Sequence, residues 1–141
     1  MHLTALTIGI LLGCFIVVKF KQTGYEHNHQ AYPMLLASFP IYYWIFSLYS
    51  HNYDALINEF MVGVFFIAVA VFAYRCSKHK SFILLAIGFI GHGVYDVIHK
   101  HLFTPSVAPV WWPEFCGAID ILLGLYMLWL LKTQRHKYDV T

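Results

Sequence analysis

An all-α bundle of five membrane-spanning helices is the fold this sequence predicts, and three observations predict it. The 141 residues are 60% hydrophobic and only 11% charged, against about 25% charged in a soluble domain. Five stretches approach the roughly 17–25 mostly apolar residues that cross a bilayer. Eight of the nine Lys and Arg residues follow the first, third or fifth of those stretches, the asymmetry expected of a chain that alternates sides. The same composition excludes disorder, a collagen-like repeat and a disulfide-rich scaffold. The five spans fill most of the chain, so residues 1–141 are expected to form a single transmembrane domain. A net charge of +2 without a basic run offers nucleic acid no footprint. Cys14, Cys76 and Cys116 lie far apart and form no CxxC pair.

The first helix is expected over residues 3–20, closed by Lys19 and Lys21. Its positive charges follow the apolar run instead of preceding it, which argues for a retained helix and against a signal peptide. Gly9 and Gly13, four residues apart, predict a face for a neighbouring helix or for a second copy in a homo-oligomer. The second helix, 33–49, contains Pro40, a kink site. The third, 56–74, ends at Arg75-Cys76-Ser77-Lys78, and Asp54 two residues ahead of it reads as its N-cap. The fourth is expected over 81–101. The fifth, 114–131, opens on Pro113-Glu114, a pairing suited to a helix N-terminus and its dipole. With Lys100 alone on the other side, the basic residues put the N-terminus outside and the C-terminus in the cytoplasm. A multi-pass protein of a cell inner membrane or its equivalent follows, with Trp111 and Trp112 at the outer interface and Trp129 near the inner one.

Ionisable groups inside a span are costly, so each is a functional candidate. Of the seven acids, Glu26 and Asp139 lie in cytoplasmic segments, and Asp54 and Glu114 sit at helix starts. Glu59, Asp96 and Asp120 remain. Counted at ~1.5 Å per residue from the expected span ends, all three fall within ~5–9 Å of the outer boundary. They belong to three helices and share one depth, which predicts a common site. The densest signal is Gly91-His92-Gly93-Val94-Tyr95-Asp96-Val97-Ile98-His99. At ~100° per residue, His92, Asp96 and His99 share an arc of ~60°. His92 and Asp96 (i, i+4), or Asp96 and His99 (i, i+3), can hold one proton or metal ion, and Asp120, Glu59 or His51 would complete a metal's ligand set. His101 points to the opposite face. Tyr43, Ser47 and His51 form a polar stripe that reaches the same level, and Cys116 precedes Asp120 by four residues. Ser47, Cys116 and the glycines of the fifth helix read singly as packing residues.

Residues 102–113 join the last two spans. Pro105, Pro109 and Pro113 bar a continuous helix, yet the segment is apolar enough to lie in the interface, over the polar cluster, as a linker or a lid. Tyr43, Ser47, Tyr95, Trp111 and Trp112 are then the candidate contacts for a lipid-like molecule. His27-Asn28-His29 in the first cytoplasmic loop is an exposed His pair that can hold a metal adventitiously.

The run from His92 to His99, with Trp111-Trp112-Pro113-Glu114-Phe115-Cys116 and Asp120, resembles an uncharacterised family of small polytopic membrane proteins; the resemblance spans most of the chain and implies no activity. Ser47-xxx-His51 together with membrane His and Asp residues is similar to the alkaline ceramidase and progestin-receptor superfamily, which implies zinc-dependent hydrolysis. This sequence departs from that pattern: His92 is followed at i+4 by Asp96 where the superfamily carries a second His, and the chain is about two helices shorter. A His-xxx-acid pair in a five-helix membrane protein also resembles sterol isomerases of the emopamil-binding type.

The residues themselves point first to an enzyme acting on a lipid-like or isoprenoid-like substrate. His92, Asp96, Asp120 and Glu59 would either work with a divalent metal that activates water or exchange protons as acid and base. The metal would be held by His92, Asp96, His99, Asp120 and His51, and such a donor set is compatible with Zn, Fe or Mn. The alternatives are a proton-coupled or transition-metal transporter, a haem-, quinone- or lipid-binding protein with His92 or His99 as an axial ligand, and a polar network that only fixes helix register.

Overall fold

The computed structural model describes residues 2–102 and 106–138, without the side chains of His27, Lys100 and residues 134–138. Residues 103–105, which open the expected lid, and Asp139 lie outside the described residues. Among the described residues five α-helices follow one another, with a short 3-10 turn (Tyr25–His27) between the first two: α1 (Leu3–Gln22), α2 (Ala31–Tyr49), α3 (Tyr53–Arg75), α4 (Lys78–Leu102) and α5 (Trp112–Tyr138). All five are long and apolar enough to cross a membrane. A helix satisfies its own backbone hydrogen bonds, which is why such stretches take this form in hydrocarbon.

α1 begins where hydropathy suggests, and α2 to α5 begin two or three residues earlier; at α3 a side-chain cap sets the start. Asn52, not Asp54, caps α3: its side chain accepts from the Ala55 N–H, and Asp54 lies in the first turn. The α2–α3 turn is only three residues long, and His51 closes it with φ +51°. A left-handed non-glycine residue costs roughly 1–2 kcal/mol. Pro33 is the third residue of α2, and Trp112-Pro113 opens α5, both first-turn positions that tolerate proline. At the other end of α1, Gly24 (φ +75°) supplies the left-handed residue that follows the helix.

The packing is antiparallel for α2–α3, α3–α4 and α4–α5, as successive short connections require. The α1 helix runs parallel to α5: a Cβ on Gly9 would meet the Phe115 carbonyl oxygen at 2.4 Å, and one on Gly13 would lie 3.6 Å from Ile119 Cα. The small-residue face of α1 is therefore used within the chain. Its buried positions are Ala5, Gly9 and Gly13, while Leu3, Ile8, Leu11 and Phe15 are exposed. Large apolar residues outside and small ones inside reverse the pattern of a water-soluble helix, and a lipid bilayer is the environment that fits it.

Two cores fill the bundle. One is aliphatic and aromatic, built on Leu36, Phe89, Leu123 and Met127. The second, toward the end that carries the α2–α3 turn and the α4–α5 connection, includes Tyr43, Phe66, Tyr95, Ala108, Trp112 and Cys116. Ala108, on the connection, packs in this cluster with Tyr95 of α4 and Trp112 of α5. Trp111 is exposed and Trp112 is buried, so the two differ in role. His101 is exposed, on the face away from the interior.

Candidate functional site

Among the described residues, seven polar or charged ones are buried, and five of them gather beside the second core: Glu59, His92, Asp96, His99 and Asp120, each at most 2% exposed. Close approach of α4 and α5 makes this possible. A Cβ on Gly93 would stand 3.0 Å from Asp120 Cβ, and one on Gly117 would stand 3.3 Å from the Gly93 carbonyl oxygen. Two helices can come this near only where small residues face each other. Gly117, which reads as a packing residue, and Gly93, which the sequence did not single out as one, together let α4 and α5 approach closely enough for His92 to meet Asp120.

The five residues divide into two adjoining groups. In the first, His92 Nδ1–H donates to Asp120 Oδ2 (2.8 Å), while Asp96 Oδ2 stands 3.6 Å from the same nitrogen. The Tyr43 hydroxyl donates to Asp96 Oδ1 (2.7 Å), and the Cys116 thiol points to Asp120 Oδ2 (3.8 Å). In the second group, Glu59 accepts from the Tyr95 hydroxyl at Oε2 (2.6 Å) and from His99 Nε2 at Oε1 (2.5 Å). The Trp44 indole N–H donates to the Glu59 carbonyl (3.0 Å). Tyr43 joins the two groups, because its ring lies against His99 with centroids 4.5 Å apart. Phe66 meets the His92 ring edge-on at 4.7 Å.

The expected site residues are thus brought together with three changes. His99 pairs with Glu59 across to α3, so it belongs to the second group and not to a ligand set with His92. His51 sits exposed in the α2–α3 turn and contributes nothing to the cluster. Its side chain continues the α2 stripe only if the helix does, and the helix ends at Tyr49. Ser47 is buried, but its hydroxyl donates to the Tyr43 carbonyl (2.9 Å) within the same helix, a local role. Conversely, Cys116, read as a packing residue, lies at the site. Its position four residues before Asp120, facing a His-xxx-Asp pair, was the available signal.

His92, Asp96, Cys116 and Asp120 can each offer one ligand atom, and these atoms lie within 4.8 Å of one another. Two carboxylate oxygens, Asp96 Oδ2 and Asp120 Oδ1, are buried with no hydrogen-bond partner among the described residues. A buried acceptor left unmatched costs on the order of 1–3 kcal/mol, more when charged, so two in one cluster call for a proton or a cation. Asp96 has one oxygen held by Tyr43 and the other directed inward, the arrangement of a ligating carboxylate oriented from behind. The residues present therefore fit a divalent transition metal, with mixed N, O and S donors compatible with zinc or iron.

The space bounded by Pro40, Tyr43, Glu59, Gly63, His92 and Tyr95 is too small for a water molecule. A larger groove of about 630 Å³ lies on the α1–α4–α5 side, lined by Leu6, Ile10, Val97, Val110 and Gly117 among others. Gly117 lines the groove and adjoins the cluster: a Cβ there would stand 3.6 Å from Asp96 Cβ. At the far end of the bundle, His29 contacts the Tyr74 carbonyl through Nε2 (2.5 Å), so it is engaged within the chain. No family model, curated protein or solved structure matches the chain.

Proposed function

We propose that this is a membrane-embedded enzyme whose buried His92–Asp96–Cys116–Asp120 group holds a divalent metal and performs metal-assisted or acid–base chemistry on a lipid-like molecule. The observation that carries the reading is the pair of unmatched carboxylate oxygens inside a compact set of four donors. When bound, the metal would supply Lewis acidity and an activated water. The chain's own residues do the rest. Tyr43 fixes the Asp96 carboxylate, Asp120 fixes the His92 ring, and Phe66 and Tyr95 keep bulk water from the imidazole. The apolar groove beside Gly117 suits the hydrocarbon part of a substrate arriving from the bilayer.

Transport is the weaker reading because Leu36, Phe89, Leu123 and Met127, beyond the cluster, offer a moving proton or cation no carboxylate or imidazole. In this reading the N-terminus is outside and the C-terminus in the cytoplasm, because Lys19 and Lys21 lie in the last turn of α1, Arg75, Lys78 and Lys80 lie at the α3–α4 junction, and Lys132, Arg135 and Lys137 lie in the C-terminal part of α5. That topology puts the cluster in the outer half of the bundle. Single cysteines introduced at exposed Tyr53 and exposed Lys80, in a background without the native three, are expected to react with a membrane-impermeant maleimide on opposite sides of sealed vesicles. Labelling of both from one side would remove the topology.

Metal analysis of the detergent-purified protein tests the function. The expected result is close to one equivalent of zinc or iron per chain, retained on gel filtration and lost in Asp96→Asn and Asp120→Asn, which preserve side-chain volume. A folded protein free of metal after supplementation with each ion would leave only the acid–base form of the proposal.

A further inference from the structure

The second buried group carries an arrangement that the metal reading does not use. Glu59 accepts from both Tyr95 and His99 Nε2, so His99 is held in the tautomer with its proton on Nε2. The lone pair on Nδ1 is then directed at Ser106 Oγ, 3.2 Å away. Ser106 is exposed, on the connection between α4 and α5, whereas His99 and Glu59 are at most 2% exposed. A hydroxyl at the surface, an imidazole behind it and a buried carboxylate behind the imidazole are the three parts of an activated serine nucleophile, recognised by geometry and not by order in the chain.

We infer that Ser106, His99 and Glu59 form a nucleophile relay that cleaves the ester bond of an acyl lipid at the end of the bundle. Ser106 Oγ bonds to the ester carbonyl carbon as its proton passes to His99 Nδ1. The tetrahedral adduct collapses with loss of the alcohol, which leaves with that proton. Water then adds to the acyl-serine carbonyl, giving its proton to His99, and the fatty acid departs as Ser106 regains a proton. The net reaction is ester plus water to acid plus alcohol. Glu59 is a positioning residue here, fixing the His99 tautomer and stabilising the imidazolium, and Tyr95 holds Glu59 in turn. The Trp112 indole N–H, a donor without a hydrogen-bond partner among the described residues, lies in the same core cluster as Tyr95 and Ala108. An acyl ester fits the site because Ser106 sits where an apolar connection, with Val110 and Trp111 exposed, meets the end of five apolar helices.

The inference uses none of the four candidate metal ligands, and its test is separable from theirs. Detergent-purified protein is treated with an alkyl fluorophosphonate, in which Ser106 Oγ displaces fluoride from phosphorus, and the adduct is mapped by mass spectrometry. The expected result is stoichiometric modification of Ser106, unchanged by a metal chelator, with p-nitrophenyl octanoate hydrolysis lost in Ser106→Ala. His99→Gln is expected to slow modification at least ~100-fold, the low end for loss of a general base. Glu59→Gln, of equal volume, is expected to slow it in a chain that still elutes as folded protein on gel filtration, and Glu59→Asp to restore part of the rate. An unmodified Ser106 in the folded wild-type chain overturns the inference whatever the variants do. So does modification that proceeds at the wild-type rate in His99→Gln, or that requires the metal; Ser106 would then only tether the connection to α4.

Discussion

His92→Leu is expected to destabilise the protein by roughly 3–5 kcal/mol, the cost of breaking a buried charged network by removing one partner. The side chain is about 1% exposed and its Nδ1–H is the donor that stands between Asp96 and Asp120, 3.6 and 2.8 Å away. Its loss leaves two carboxyl groups facing each other with only the Tyr43 hydroxyl on Asp96 and the Cys116 thiol near Asp120 as donors, each already carrying one unmatched oxygen. The combined change His92→Leu, Asp96→Leu and Asp120→Leu is expected to recover most of that loss, since buried charges replaced together by apolar residues are often neutral or stabilising. Reversible unfolding in mixed detergent, read by tryptophan fluorescence, measures both. The combined variant should be folded yet bind no metal, which separates stability from function. If His92→Leu were as stable as the wild type, the group would not be an interacting network at all.

Gly93→Ala is expected to weaken metal binding by 10- to 100-fold while leaving the protein folded. The added Cβ would stand 3.0 Å from Asp120 Cβ and 3.0 Å from Ile121 Cγ1. Those atoms are near the α5 backbone, so they yield only if the helix shifts by a few tenths of an ångström. A shift of that size lengthens the 2.8 Å contact between His92 and Asp120. Groups that orient ligands typically contribute 10- to 100-fold in affinity. Gly91→Ala is the control: it lies on the same helix with only Phe66 Cε1 at 3.7 Å, an ordinary contact. Competition with a chelating dye gives both affinities. Equal weakening in the two variants would show that the effect is general to α4 and not due to its contact with α5.

Much of this architecture was legible along the chain. The rise of a helix is fixed, and the basic residues that close the first, third and fifth spans mark depth, so Glu59, Asp96 and Asp120 could be assigned to one level before any packing was known. The arc shared by His92, Asp96 and His99 follows from the 100° turn per residue in the same way. The start of α3 was less legible, as Asn52 shows, because a cap depends on a local side chain and not on hydropathy. Ser106 carried no signal at all, being one hydroxyl among the prolines of a connection.

Hydropathy, basic-residue placement and helical periodicity thus determined by themselves the five apolar helices and the common depth of the ionisable residues, since each depends only on residues near one another in sequence. The tertiary structure alone decided the partners: His92 with Asp120 across α4 and α5, His99 with Glu59 across α4 and α3, Cys116 at the cluster and His51 outside it. The physical reason is that partner choice depends on how far each helix is rotated about its axis and how closely its neighbour approaches. Both are set by contacts such as Gly93 with Asp120 and Gly117 with Gly93, between residues 24 to 27 positions apart, which no local periodicity encodes.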